Sequence, residues 1–519
     1  MSPLRAFGVK TSFARRGRRF VFAALLLTAF AAAPVAAQSP APAASPASVV
    51  TGFRVAERIE TTLAPGVVWT QEITPVGAPG GPLVVSVVRI ARDAAKGDRL
   101  RSALGGGTVW QNNRTQGRET VSGIAARNNA LVSINASFFT FSSGHPLGIN
   151  IENGAAITEP LMNRTALFWD DKGKAGMAAF SGSGTVTAAD GAGFALSGLN
   201  RKGGKSAELL LYTPRFFTAT LPAPDRTEVV LTGVKSVRFG ETLTGTVSLV
   251  GAGGGLPLAA NTVVVSGNGE AGQYLRDHAK LGTKLSVRYD ALPSTEKIRH
   301  AIAGGPRLVE DGKPAITDTA EGFGGSFSTA RHPRTAAGMC ADGEILLLTV
   351  DGRQPRLSRG ATLAETAALL LKFGAVRGVN FDGGGSTTFV VRGGVSNSPS
   401  DGAERPVANA VVLSDPKKTT VKPPRLVLNP AFNGKLAVGE THRFQIPSNI
   451  NRKNKNGATW SVVGNAGFVS QGGNFLALRS GTSEVIATLP NGDRFAFPVS
   501  VPKPPDETMA KPLMPVAPP

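Results

Sequence analysis

At 519 residues the chain is too long for one ordinary core, and a hydrophobic content of 41% supports globular folding over two domains or more. The 63 glycines and 36 prolines argue for many turns and strands and against helical bundles. The formal net charge is +20, yet aromatics are only 6% and no basic–aromatic cluster occurs, which argues against nucleic acid; the single Cys340 excludes an internal disulfide and a cysteine-rich metal site.

Residues 1–37 read as an export signal. Arg15, Arg16, Arg18 and Arg19 precede the apolar run FVFAALLLTAFAAA, and PVAAQ offers small residues for cleavage after Ala37. The run is shorter than the roughly 20 residues of a spanning helix, and no later segment replaces it, so no transmembrane segment is expected after cleavage. A secreted or periplasmic product is the expectation, with a retained N-terminal anchor as the rival. Removing the segment leaves 50 basic and 36 acidic side chains, a net of +14. That balance suits anionic glycans or envelope surfaces as partners, or simply a basic surface.

Residues 38–52, rich in Pro, Ala and Ser, form a linker, and a folded unit spans 53–415. A second linker covers 416–424. From 425 to 502, short alternating runs such as THRFQI, ATWSVV and EVIATL between Gly/Asn turns predict a small β-sandwich, with Trp460 in its core. It resembles the immunoglobulin-like domains appended to bacterial surface proteins. The tail 503–519 has nothing to pack. The fold class expected is α+β, a mixed β-sheet core with flanking helices, followed by this all-β sandwich.

Inside the large unit, EILLLTV (344–350) reads as a strand buried on both faces, ending in Asp351-Gly352-Arg353. TLAETAALLLKFG (362–374) then carries a capping box, Thr362 and Glu365, and a terminating Gly374. AVRGVNF returns as a strand ending at Asp382, followed by Gly383, Gly384 and Gly385. Strand, helix, strand predicts parallel neighbours, with Asp351 and Asp382 at one carboxyl edge, where open sheets place ligands. An echo links VSINASFF (132–139) with RGVNFDGGG (377–385), each a strand ending in Asn.

Several common chemistries lack their residues. VVVSGNGEAG (263–272) has the G-x-G-x-x-G spacing of dinucleotide sites, but no βαβ repeat surrounds it. No G-x-S-x-G elbow occurs, and the five histidines show no zinc-binding spacing. Carboxylates, asparagines and arginines around glycine-rich turns remain, an inventory suited to glycoside or phosphate-ester chemistry. Carboxylates and carbonyls at one edge also suit calcium or magnesium, although no spacing demands a metal and no other cofactor is indicated.

The ordered segments INASFF (134–139), IAGGPRLVEDGK (302–313), RTAAGMCADGEILLLTVDGR (334–353), LSRGATLAE (357–365), VNFDGGGSTTFVV (379–391) and SDGAERPVANAVVL (400–413) resemble the phosphodiester glycosidase family over roughly 53–415. The resemblance implies hydrolysis of a sugar 1-phosphodiester, releasing the sugar and leaving a phosphomonoester. In that reading Asp382 and Asp351 are catalytic, stabilising an oxocarbenium-like centre as nucleophile, base or counter-charge. Arg334, Arg353 and Arg405 hold the anionic leaving group, while Asn135 and Asn380 bind sugar hydroxyls. The amides of Gly383, Gly384 and Gly385 face a phosphate oxygen, and Arg164, Ser386 and Asp401 complete the substrate-binding set. The expected partner is an anionic carbohydrate. Two alternatives stay open: hydrolysis of ordinary glycosidic bonds by the same carboxylates, and a non-catalytic glycan-binding envelope protein.

Overall fold

The computed structural model describes residues 52–417, 419–427, 432–448 and 457–503; the expected signal segment, the 38–51 part of the first linker and the 504–519 part of the tail lie outside the described residues. An eight-stranded sheet positions the site. In spatial order its strands are Glu57–Ala64, Val67–Thr74, Leu83–Ile90, Ile345–Val350, Arg334–Cys340, Ala375–Asn380, Arg307–Glu310 and Lys313–Pro314. Ile345–Val350 is buried at every position, as a wholly apolar run in mid-sheet must be.

The helix Leu363–Lys372 starts where its capping box directs. Thr362 Oγ1 accepts the Glu365 amide at 3.1 Å and Glu365 Oε2 accepts the Thr362 amide at 2.9 Å. Leu363, Ala367 and Leu370 are buried against the sheet, and Gly374 ends the helix at φ 92°. The strands before and after it are parallel but not neighbours, because the antiparallel strand Arg334–Cys340 lies between them. A helix about 10 Å across covers two strand spacings of about 4.8 Å, so the crossover leaves room for that third strand. Asp351 and Asp382 therefore leave the sheet at the same edge, and Arg334 enters it between them.

The expected helix-flanked α+β core does not form. Strands make up 44% of the structure and helix 10%. Among the described residues there are three α-helices, Val121–Arg127, Gly269–His278 and Leu363–Lys372, and most of the core is sheet packed on sheet. The expectation extended one well-capped crossover to the whole unit. Most neighbouring strands are antiparallel, and antiparallel pairs need only turns, which the Gly and Pro content supplies.

A five-stranded sheet, ordered Gly394–Val395, Phe389–Val391, Ala130–Asn135, Asn409–Ser414 and Leu100–Leu104, packs on the first. Val88, Ile134, Leu347, Val379, Phe389 and Val411 share the core between them. A second eight-stranded sheet is built from strands within 181–292. It explains the G-x-G-x-x-G run. The strand Thr262–Asn268 has antiparallel neighbours on both sides, and a Cβ on Gly267 would lie 2.7 Å from the Ala271 backbone. These glycines fold the helix Gly269–His278 back onto its own strand.

The C-terminal residues form a four-stranded and a three-stranded sheet around Trp460, Phe475, Val485 and Phe497. This unit docks firmly on the first sheet. Phe468 meets Phe53 edge-on at 6.1 Å, and both join Ile73, Val84, Leu357 and Leu476 in one apolar cluster. Gln71 Oε1 accepts the Gln471 amide at 2.8 Å, and Asn474 Nδ2 donates to Glu57 Oε1 at 2.6 Å. Phe468→Ala in the full chain is expected to cost about 3–5 kcal/mol of unfolding free energy, the usual penalty for emptying a buried aromatic site. Denaturant unfolding checks it, and a loss under about 1 kcal/mol would mean the two units are stable without this contact.

Candidate active site

The strand Ala375–Asn380 delivers Phe381 and Asp382 to the sheet edge, where three other segments hold them. Asp382 N–H donates to Ala136 O at 2.8 Å, and Phe381 N–H donates to Thr335 O at 2.8 Å. Asn135 Nδ2 donates to Asp382 O at 2.6 Å, while Asn135 Oδ1 accepts from Thr335 Oγ1 at 2.8 Å and Thr388 N–H at 3.1 Å. Asn135 is fully buried, and its amide braces the loop. Asn380, also fully buried, donates through Nδ2 to the carbonyls of Gly305 and Phe381. The two strands of the sequence echo thus end together, one asparagine on each side of Asp382.

Each glycine after Asp382 has its own cause. A Cβ on Gly383 would lie 2.7 Å from Pro333 O, so the chain passes too close there for a side chain. Gly384 has φ +62°, and its amide donates to Pro333 O at 2.9 Å. A Cβ on Gly385 would land 2.1 Å from Arg405 Nη2 and 2.2 Å from Asp401 Oδ2. The loop is thin because guanidinium groups press on it.

Those groups define the open face of the site. Arg405 donates from Nε and Nη2 to Asp401 Oδ2, at 3.0 and 2.6 Å, and its guanidinium lies 5.6 Å from the ring centre of exposed Phe141. Arg353 is exposed, makes no ion pair among the described residues, and approaches His332 Nδ1 at 3.3 Å; its Nη2 would lie 3.0 Å from a Cβ on Gly384. Asp382 is partly exposed among them. Loss of hydration pushes its carboxyl up to about 6, tempered by the Ser386 hydroxyl, the Arg405 charge and the Gly383 amide. Ser386 is fully buried.

Asp351 reaches the same edge but is sealed at 2% exposure. Its carboxylate accepts from Asn397 Nδ2 at 3.0 Å and from the Ser398 amide at 3.1 Å, and burial pushes it up to about 7. Arg334, 1% exposed, donates to the carbonyls of Ala361, Phe327 and Ala330, each at 2.9 Å. Its guanidinium fastens backbone. Arg164 lies against two rings, 4.5 Å from the Phe323 ring centre and 5.4 Å from that of Phe138, with buried Nε and Nη1 unpartnered. Phe138, Phe323 and Phe327 form a partly exposed aromatic group, Phe323 stacking on Phe327 at 4.9 Å. No spacing in the sequence marks His332 or this group, although FF at 138–139 and FGGSF at 323–327 carry the rings. Among the described residues the group of three His, Cys, Asp or Glu side chains close enough to share a metal ion is Cys340, Asp342 and Glu344, and Glu344 is paired with Arg89.

Residues 236–414 match the family model of the phosphodiester glycosidases, a span that contains Asp351, Asp382, Arg353 and Arg405. That segment is similar to phosphodiester glycosidase domains. Curated relatives include N-acetylglucosamine-1-phosphodiester alpha-N-acetylglucosaminidase of Bos taurus, 40% identical over 98 residues, covering 18% of each chain. The Homo sapiens enzyme is 37% identical over 103 residues, 18% of this chain and 20% of that one. A prophage-derived protein of Bacillus subtilis, YomE, is 38% identical over 122 residues, 24% of this chain and 18% of its own. The matched segments thus span a fifth or less of these relatives. Among solved structures, a Burkholderia pseudomallei protein superimposes with TM-score 0.54 at 29% identity, covering 67% of this chain and 76% of that one. A hypothetical protein from Synechocystis shares the fold with TM-score 0.58 at 24% identity, over 69% and 64% of the two chains. Asn135 lies outside the family match, yet it fixes Asp382.

The two carboxylates carry a pH signature. Folded Asp351 keeps its proton up to about pH 7, whereas the unfolded chain releases it near 4. Between those values the folded state binds the extra proton, so stability falls as pH rises, and Asp382 adds in the same direction up to about 6. The protein is expected to lose stability between pH 5 and 8, with Asp351→Asn removing a share on the order of 2 kcal/mol. Denaturant titration at both pH values checks this, and identical losses in both proteins would refute the buried, protonated Asp351.

Proposed function

We propose that the chain is an exported glycosidase that hydrolyses a sugar 1-phosphodiester in envelope or extracellular glycan. The observation that carries this reading is one partly open carboxylate, Asp382, beside the guanidinium groups of Arg353 and Arg405. Hydrolysis of an ordinary glycoside needs a second carboxyl to protonate the leaving oxygen. A phosphomonoester leaves as a weak base and needs cations instead. The sealed position of Asp351 and the pairing of Asp401 with Arg405 leave Asp382 as the carboxylate free to face a sugar.

In this mechanism Asp382, ionised above about pH 6, stabilises positive charge as it develops at the anomeric carbon. Arg353 and Arg405 bind the phosphate and hold it as the anomeric C–O bond breaks with its electron pair on the phosphate oxygen, while water adds its oxygen to the anomeric carbon and releases a proton to solvent. Asp351, Arg334 and Asn135 position this edge without touching substrate. The aromatic group around Arg164 offers ring faces to a sugar. The N-terminal signal supports export, and we assign catalysis to 53–415 and an immunoglobulin-like accessory role to 425–502.

Asp382→Asn keeps the shape and removes the charge, so it is expected to fold normally and lower kcat by at least about 10³. In the parent, kcat/KM should rise with pH through about 6 and then level off. A well-folded Asp382→Asn protein with near-full turnover would refute the assignment. Arg353→Ala and Arg405→Ala should each cost about 2–3 kcal/mol in kcat/KM on a sugar 1-phosphodiester and far less on a neutral aryl glycoside. Equal losses on both substrates would favour ordinary glycoside hydrolysis.

A further inference from the structure

Beyond Arg405 lies a second guanidinium, that of Arg118. It is fixed by one hydrogen bond, from Nε to Thr115 O at 2.8 Å. Its Nη1 and Nη2 reach solvent and make no hydrogen bond or ion pair among the described residues. The carboxylates next to Arg118 and Arg405 in sequence are taken: Glu119 pairs with Arg127, and Glu404 accepts from Ser122. Asp401 is held by Arg405. The charge that does reach Arg118 is a like one. Loss of hydration, and then the Arg405 charge, lower its guanidinium from the ordinary value. A half-buried cation beside another cation carries a cost that a bound anion would offset.

Both guanidinium groups share one ring. Phe141 is 62% exposed, and its centre lies 5.6 Å from the guanidinium carbon of Arg405 and 5.9 Å from that of Arg118. Arg118 also covers the Phe139 ring at 5.5 Å. The hairpin that carries Phe141 is closed by its own backbone, Thr140 N–H donating to His145 O at 2.9 Å and Leu147 N–H to Phe138 O at 2.8 Å. A Cβ on Gly144 would overlap Gln116 O and lie 3.4 Å from Arg118 Cγ, so the hairpin packs directly on the segment that bears Arg118. A large apolar ring is thus held in water beside two cations, and its free face suits the flat side of a sugar. Contacts run outward from the reaction site in sequence: the Arg405 charge acts on Asp382, Arg405 presses on Gly385 and covers Phe141, and Phe141 meets Arg118.

We propose that Phe141 and Arg118 form a leaving-group subsite, which takes the ring esterified to the far side of the phosphate on Phe141 and a second phosphate of that ring on Arg118. Its place on the leaving-group side rests on the function proposed above; the binding itself does not. The probes are myo-inositol 1-phosphate and myo-inositol 1,4-bisphosphate, six-membered rings with no anomeric bond to cleave, titrated calorimetrically into the full chain. The bisphosphate should bind at least about 10-fold more tightly than the monophosphate, as a charge-assisted contact at a half-buried arginine allows. Arg118→Gln keeps the length of the side chain and removes the charge, so the two affinities should come within about 3-fold of each other. Arg114→Ala removes an exposed charge from the same segment and should keep the full ratio. Phe141→Ala deletes an exposed ring and should weaken both probes at least about 5-fold; it serves as the test should Arg118→Gln fail to fold. Equal affinities in the parent, a ratio that survives Arg118→Gln, a ratio lost equally in Arg114→Ala, or binding untouched by Phe141→Ala would each overturn the subsite. The expected ratios in a protein that turns over no sugar 1-phosphodiester would instead overturn the reaction assigned to Asp382 and leave the subsite standing.

Discussion

The amide of Asn135 ties together three segments that are far apart in sequence. It donates to the carbonyl of Asp382 and accepts from Thr335 and Thr388, and the side chain is fully buried. A buried amide with both ends used admits few other arrangements, because each broken bond leaves an unpaired group in an apolar surrounding. The first sheet carries Asp382 and the packed sheet carries Asn135, so this bond sets how the two sheets register at the site. The direction in which the Asp382 carboxylate points follows from it.

The same edge gives two aspartates opposite treatment. Asp351 is enclosed by Asn397 and the Ser398 backbone, whose hydrogen bonds do not offset its lost hydration, and it stays protonated well above the usual carboxylate range. Asp382 keeps contact with solvent and with the Arg405 charge, so its rise is smaller. Environment splits a pair that sequence position makes equivalent. The arginines divide similarly: Arg334 spends its donors on backbone carbonyls, and Arg353 holds an exposed guanidinium at the glycine loop.

Much of the site's placement was legible in the sequence because local signals carried it. The apolar run 345–350, the Thr362/Glu365 capping box and Gly374 fix a crossover within about thirty residues, and the shared edge for Asp351 and Asp382 follows. Burial was not legible. Whether Asp351 faces solvent depends on Asn397 and Ser398, which are 46 and 47 residues away in sequence. The same holds for Asn135, whose partners lie 200 to 253 residues away. The glycines were half-read. Their number signals close approach, but what approaches Gly383 and Gly385 is the protein's own Pro333 carbonyl and Arg405–Asp401 pair. The fold class failed for a related reason, since one strong helix says nothing about crossings that are made by turns.

A thin glycine loop between two guanidinium groups has a consequence for what the site can hold. Side chains there would keep Arg353 and Arg405 away from the backbone; their absence lets both charges crowd one short segment beside Asp382. Asp401 offsets the Arg405 charge, leaving Arg353 without a counter-ion among the described residues. An anion bound at Arg353 would supply the missing counter-ion beside the Asp382 carboxylate. In the reaction proposed for this site, cations on one side and a carboxylate on the other would match a bond that breaks with negative charge moving to phosphate and positive charge left on the sugar. For that proposed reaction the arrangement would complement the separated charges more closely than the intact diester.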